Sequence, residues 1–203
     1  SPEEGTTPLI YDADGIKVAH LSYSYGFNGF KVPAGQPWRA NVIDVDRIAA
    51  DATAARKAGA EFVVASLHWG TEHRQDPNRM QQEVAQALAA TGTVDLVIGH
   101  HAHVVQPVTR IGKMWVVYGL GNLLSNNGAG DGGAAATDGL LATVSISDHD
   151  GAPQVDHVAV TPTYNEHRTF RVLPVADALA VQGVDPKLVA ELRKSWDRTI
   201  GVV

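Results

Sequence analysis

Two short apolar runs on either side of one capped helix constrain this chain more than any other feature. Phe62–Leu67 and Val94–Ile98 are almost wholly apolar, the pattern of strands buried on both faces. Between them, Asp76-Pro77 offers an N-cap followed by proline at the first helical position. Met80, Val84, Ala87 and Leu88 form the apolar stripe, and Gly92 ends the helix. Strand, helix and strand within about forty residues make a βαβ unit, which makes the two strands parallel and the crossover almost always right-handed.

The remaining elements follow from local patterns. Leu9–Tyr11 and Ile16–Tyr25 flank Asp14-Gly15 and read as a hairpin. Phe27–Arg39 is rich in Gly, Pro and Asn and reads as a loop. Asp44–Ala58 reads as a helix, capped by Asp44 and closed by Gly59. Further hairpins are expected over Val108–Ile111 with Met114–Tyr118, and over Leu140–Ile146 with Val155–Thr161 around Asp150-Gly151. Pro186–Arg198 forms a last helix, with Leu188, Val189, Leu192 and Trp196 on one face. Gly128–Gly139, nearly all Gly and Ala, is expected to be a mobile and chemically inert loop. No internal repeat or linker divides the chain, so residues 1–203 read as one domain, with a core over 9–165 and a helical tail over 174–200.

Three motifs each follow the carboxyl end of an apolar strand: His68-Trp69-Gly70-Thr71-Glu72, Gly99-His100-His101-Ala102-His103 and Gly119-Leu120-Gly121-Asn122. In α/β sheets, ligands bind beyond that edge. Imidazole is the commonest protein ligand for Zn-, Fe- or Mn-type ions. An extended backbone at His101-Ala102-His103 sends both rings to one side, so with His68 it supplies three nitrogen donors around an open position. His100 then points the other way, as a supporting or core residue; the opposite phasing, with His100 as a ligand, stays open. Glu72 either orients a histidine ring or is a solvated charge. Asn122 either donates to a substrate oxygen or fixes a turn, and Trp69 reads as packing. His20, His73, His149, His157 and His167 read as structural or solvated.

The net charge of −6 argues against non-specific nucleic-acid binding, which needs a cationic surface. The longest uncharged stretch, Met114 to Gly130, is broken by glycines and asparagines, and no run reaches the ~20 apolar residues of a membrane-spanning helix. The absence of cysteine removes thiolate metal sites, disulfides and cysteine nucleophiles. The start, Ser-Pro-Glu-Glu-Gly, lacks Met and signal-peptide architecture, and reads as that of a processed chain or of a piece of a longer one.

At the segments Val64–Glu72, Asp95–Pro107 and Tyr118–Asn122, the sequence resembles the CapA family of poly-γ-glutamate (capsule) biosynthesis proteins, placed in the calcineurin-like metallophosphatase superfamily. The resemblance covers roughly Leu9 to Asn122. It departs at Ala102, where proline is usual, at Gly119, where serine is usual, and at His73, where an aromatic is usual; none of these removes a candidate ligand. It implies an α/β fold: a β-sandwich of metallophosphatase type flanked by helices, with this chain as the C-terminal half of a four-layer αββα arrangement. The family's N-terminal Gly-Asp and Asn-Asn-His motifs have no counterpart in residues 1–60.

The resemblance further implies a centre of divalent ions (Mn, Fe or Zn), held here by His68, His101 and His103, with His68 and His101 serving catalysis. Carboxylate and asparagine ligands come from the N-terminal half, so this chain alone is expected to be inactive and to bind one ion or bind weakly. The implied function is capsule biosynthesis acting on an anionic polymer or phosphoester. The alternatives are a non-enzymatic part in polymer assembly or export, and a phosphoesterase unrelated to capsule. The missing half, self-association through an exposed sheet surface, and an extracytoplasmic, envelope-associated location complete the expectations.

Overall fold

The computed structural model describes residues 7–127 and 133–203. The first sheet is built from β1 (Leu9–Ala13), β2 (Ile16–Ser24), β3 (Phe62–His68), β4 (Leu96–His100), β5 (Val108–Ile111) and β6 (Met114–Val117), in the spatial order β1-β2-β3-β4-β6-β5. The four central strands, β2, β3, β4 and β6, are parallel, and β1 and β5 close the two edges antiparallel. A second sheet is antiparallel: β7 (Asp138–His149), β8 (Ala152–Glu166) and β9 (Arg171–Pro174). The fold is therefore α/β, a mixed six-stranded sheet accompanied by a three-stranded antiparallel one.

Alternation along β3 explains the layers. Val63, Ala65 and Leu67 face α1 (Val45–Lys57) and α2 (Arg79–Thr91), whose Ile48, Ala52 and Leu88 are wholly buried against them. Phe62 and Val64 face the other way, onto Val144, Ile146 and Val155 of the β7–β8 hairpin. Toward the carboxyl end this second face turns polar: Ser66 and His68 of β3 share it with His20, which is in register with Val64, and with His100, which is in register with His68. His20 Nε2 lies 2.8 Å from Ser66 Oγ. The base of the β7–β8 hairpin packs on α3 (Val175–Ala180) and α4 (Pro186–Ile200).

Local chemistry sets the boundaries. Asp14 and Gly15 both take positive φ (52° and 94°), as a two-residue hairpin turn requires, and Asp150-Gly151 repeats this at 56° and 82°. Asp44 caps α1 by accepting from Arg47 N at 2.8 Å, a contact worth about 1 kcal/mol.

The cap expected at Asp76-Pro77 lies elsewhere. Asn78 caps α2, accepting from Gln81 N while Gln81 Oε1 accepts from Asn78 N, and this reciprocal pair leaves Pro77 outside the helix. The hairpin of β7 and β8 extends beyond the expected limits on both strands, and β9 and α3 were not anticipated. Of the expected Gly128–Gly139 loop, residues 128–132 lie outside the described residues. Ala134–Thr137 forms a 3-10 turn with Ala136 wholly buried, so this part is packed rather than loose.

Candidate metal centre at the carboxyl edge

The parallel strands β2, β3 and β4 deliver Tyr25, His68 and the histidine cluster to one edge. His68 and His100 are register partners and share a face, so His100 does not point away from His68 and is exposed rather than part of the core. Beyond β4 the backbone leaves the extended form. His101 has φ 93° and His103 φ 58°. The expected extended geometry for this pair is thus wrong, because the period-two rule holds only within a strand. The reversal still folds the rings back. The His68 and His101 centroids are 4.6 Å apart, those of His101 and His103 are 6.3 Å apart, and Tyr25 lies 4.8 Å from His101. Left-handed backbone at a non-glycine residue costs on the order of 1 kcal/mol and clusters at functional sites. Here His73, with φ 61°, adds a third case.

Asn122 fixes one of these rings. Its Nδ2 donates to the carbonyls of His103 (3.2 Å) and Ala136 (2.9 Å), which leaves Oδ1 to accept from His103 Nδ1 at 2.9 Å. Neutral His103 therefore carries its proton on Nδ1 and keeps a lone pair on Nε2, the form that binds a metal or takes a proton. Both Asn122 amide hydrogens are thus taken by backbone carbonyls, and Oδ1 faces the His103 ring.

Burial pushes the His68 and His101 imidazoles below the ordinary histidine value. A charge on His103 lowers His68 further, one on His68 lowers His101 further, and Glu72 acts in the opposite sense on both. His100 is lowered too, by desolvation and then by His68 and His20. Glu72 Oε1 stands 3.9 Å from His101 Nδ1 and is half exposed. His73, which read as isolated, belongs to this cluster. Its N–H donates to Ala102 O at 2.7 Å, its ring lies 6.0 Å from His103, and its buried Nε2 has no hydrogen-bond partner among the described residues. His149, by contrast, lies far from the edge, on the outer hairpin beside Asp156.

Among the described residues, no group of three or more His, Asp or Glu side chains is arranged to hold a metal ion. The donor chemistry suits one: the three imidazoles are gathered, two are pushed toward the neutral form, and the third gives its Nδ1–H to an oxygen acceptor, which leaves Nε2 with a lone pair.

The edge rests on a rigid floor. Trp69 is wholly buried, stacks on Tyr118 at 5.7 Å and donates Nε1–H to Tyr118 O at 3.0 Å. A Cβ on Gly99 would sit 1.8 Å from that same carbonyl oxygen, which explains glycine there. Buried Gln106 accepts from Gln81 Nε2 at 2.7 Å and donates to Arg74 O at 2.8 Å, tying the histidine loop to the loop after β3.

The profile of the bacterial capsule synthesis protein family PGA_cap matches residues 1–127, well over half of the chain. The chain belongs to this family. All the candidate residues, from Tyr25 to Asn122, lie inside the PGA_cap match. The PGA biosynthesis protein CapA of Bacillus subtilis (strain 168) is 38% identical over 72 residues, 36% of this chain and 19% of that protein. The capsule biosynthesis protein CapA of Bacillus anthracis is 25% identical over 182 residues, 81% of this chain and 42% of that protein. The chain thus spans less than half the length of either curated relative. Among solved structures, the calcineurin-like phosphoesterase YfkN of Bacillus subtilis aligns over 96% of this chain and 57% of its own, at 15% identity and a TM-score of 0.44.

Proposed function

We propose that this PGA_cap chain carries the histidine part of a divalent-metal centre in a capsule biosynthesis protein of CapA type, acting on an anionic polymer or phosphoester. The gathering of His68, His101 and His103 at one sheet edge carries this reading. Family membership supports the biological process, since the curated relatives are capsule or PGA biosynthesis proteins.

His68, His101 and His103 would hold the ion; a bound divalent cation polarises an oxygen and lowers the pKa of water. His68 is the most open of the three rings, and stacked Tyr25, at 6° and 6.2 Å, limits its rotation. His103 presents Nε2 because Asn122 holds Nδ1. Glu72, 3.9 Å from His101 Nδ1, acts on the ring through its charge rather than through a hydrogen bond. Two dications among neutral imidazoles repel each other strongly, so a second ion requires carboxylates, and among the described residues Glu72 is the one carboxylate paired with these rings.

The test compares this chain with a longer protein containing it, in Mn²⁺, Zn²⁺ and Fe²⁺, measuring metal stoichiometry and hydrolysis of a generic phosphodiester. Turnover by the longer protein that disappears with His68→Ala supports the hydrolytic form. Stoichiometric metal without turnover points instead to a role in polymer assembly. Metal binding unaffected by His68→Ala and His101→Ala overturns the site.

A further inference from the structure

The PGA_cap match ends at residue 127, yet the amide that orients His103 is held from beyond it. Asn122 Nδ2 donates to Ala136 O, and Asn122 N donates to Asp138 O at 3.0 Å. The two backbones touch without slack: a Cβ on Gly121 would lie 2.5 Å from Asp138 O, and one on Gly139 would lie 2.4 Å from Asn122 O. Whatever fixes residues 136–139 therefore fixes Asn122.

The Asp138 side chain is only 3% exposed, and α4 neutralises it. Arg198 Nε donates to Oδ2 at 2.7 Å and Arg198 Nη2 to Oδ1 at 2.9 Å, a two-pronged pair that sets direction as well as distance. Without Arg198, Asp138 would be a buried carboxylate with no cation. The start of β7 would then gain by moving outward to hydrate it.

We propose that Arg198 and Asp138 are positioning residues for His103: through this ion pair the last helix sets the orientation and tautomer of an imidazole in the histidine cluster. The segment after the family match is, on this account, part of the site's support. Its functional weight rests on the proposed role of His103 in the metal centre, whereas the orientation of the ring does not.

The test is ¹⁵N NMR of histidine side chains in the whole chain, with His103 assigned by His103→Gln. In the parent protein, His103 should show a protonated Nδ1 and a lone-pair Nε2 with well-separated shifts. Arg198→Ala should bring the two shifts together as both tautomers become populated. Arg198→Lys keeps the charge but cannot span both carboxylate oxygens, and should give an intermediate pattern; it carries the test if Arg198→Ala does not fold. Leu192→Ala, a buried apolar change in the same helix, should lower stability and leave His103 as in the parent. Parent-like His103 shifts in both Arg198 variants, or an equal disturbance by Leu192→Ala, would overturn the proposal.

Cobalt affinity, measured in parallel, should fall about 10-fold in Arg198→Ala, the usual lower bound for losing a group that orients a ligand. If the parent shows the fixed tautomer but binds no cobalt, the metal reading fails while the positioning stands.

Discussion

The two ends of the parallel strands treat polar groups in opposite ways. At the amino end, Asp95 Oδ2 accepts from both Val63 N and Arg56 Nη2 at 2.7 Å, and Arg56 also donates to the carbonyls of Glu61 and Thr93. Glu61 in turn accepts from Lys17 N at 2.9 Å. Charged groups there join α1, β2, β3 and β4 and satisfy one another. At the carboxyl end, three histidines sit at positive φ, a buried imidazole nitrogen has no hydrogen-bond partner among the described residues, and burial pushes the crowded His68 and His101 rings below the ordinary histidine value. One end holds the sheet together; the other keeps left-handed, closely packed histidines in place, which fits the proposed function of this edge.

The largest expected effect probes the floor beneath the second end. Gly99→Ala drives a methyl into backbone that cannot yield, and we expect a loss of more than about 4 kcal/mol by chemical denaturation, or no soluble protein. Next, Asp95→Ala strips the amino end of its shared acceptor. With the pair a quarter to a third exposed, the expected cost is about 2 kcal/mol in the same assay, below that of a fully buried pair.

The comparison predicts the reverse sign at the carboxyl end. His73→Gly removes a partnerless buried nitrogen and a left-handed non-glycine residue, and thermal denaturation should show a gain of about 1 kcal/mol. A loss of similar size would mean that His73 is a structural member of this edge. His68→Ala, at an exposed side chain, should stay within about 0.5 kcal/mol of the parent.

The smallest effect is in pH. His68 and His101 titrate lower in the folded chain than in the unfolded one, so the unfolded state binds more protons just below about pH 6.5. Their contribution is complete above that value and is lost as pH falls through their folded pKa values. Denaturation midpoints from pH 5 to 7 should therefore rise with pH in the parent, and rise less steeply in the His68→Ala/His101→Ala double variant.

The sequence made β3, β4 and their helix legible because burial on both faces leaves a continuous apolar run, which local composition displays. It also pointed to His68, His101 and His103, because the end of a strand is itself a location. Tyr25 was invisible as a site residue: it depends on β2 pairing parallel with β3 across a helix, and nothing local to Ile16–Tyr25 shows that. His73 was missed because a backbone bond to Ala102, formed only after folding, brings it in. Its position directly after Glu72, five residues beyond His68, was the one available signal. The four-residue β9 and six-residue α3 are too short for periodicity to reveal, and Asp138–Arg198 joins residues no local pattern relates.

On the proposed function, the carboxyl edge, and not the charged amino end, would hold a cation. An anomalous difference map from crystals grown with Zn²⁺ or Mn²⁺ tests it most directly. The expected result is a peak about 2.0–2.2 Å from imidazole nitrogens of His68, His101 and His103. A map whose strongest peak lies beside Asp95 and Glu61, or on the outer hairpin at His149 and Asp156, with none at the three histidines, would contradict it.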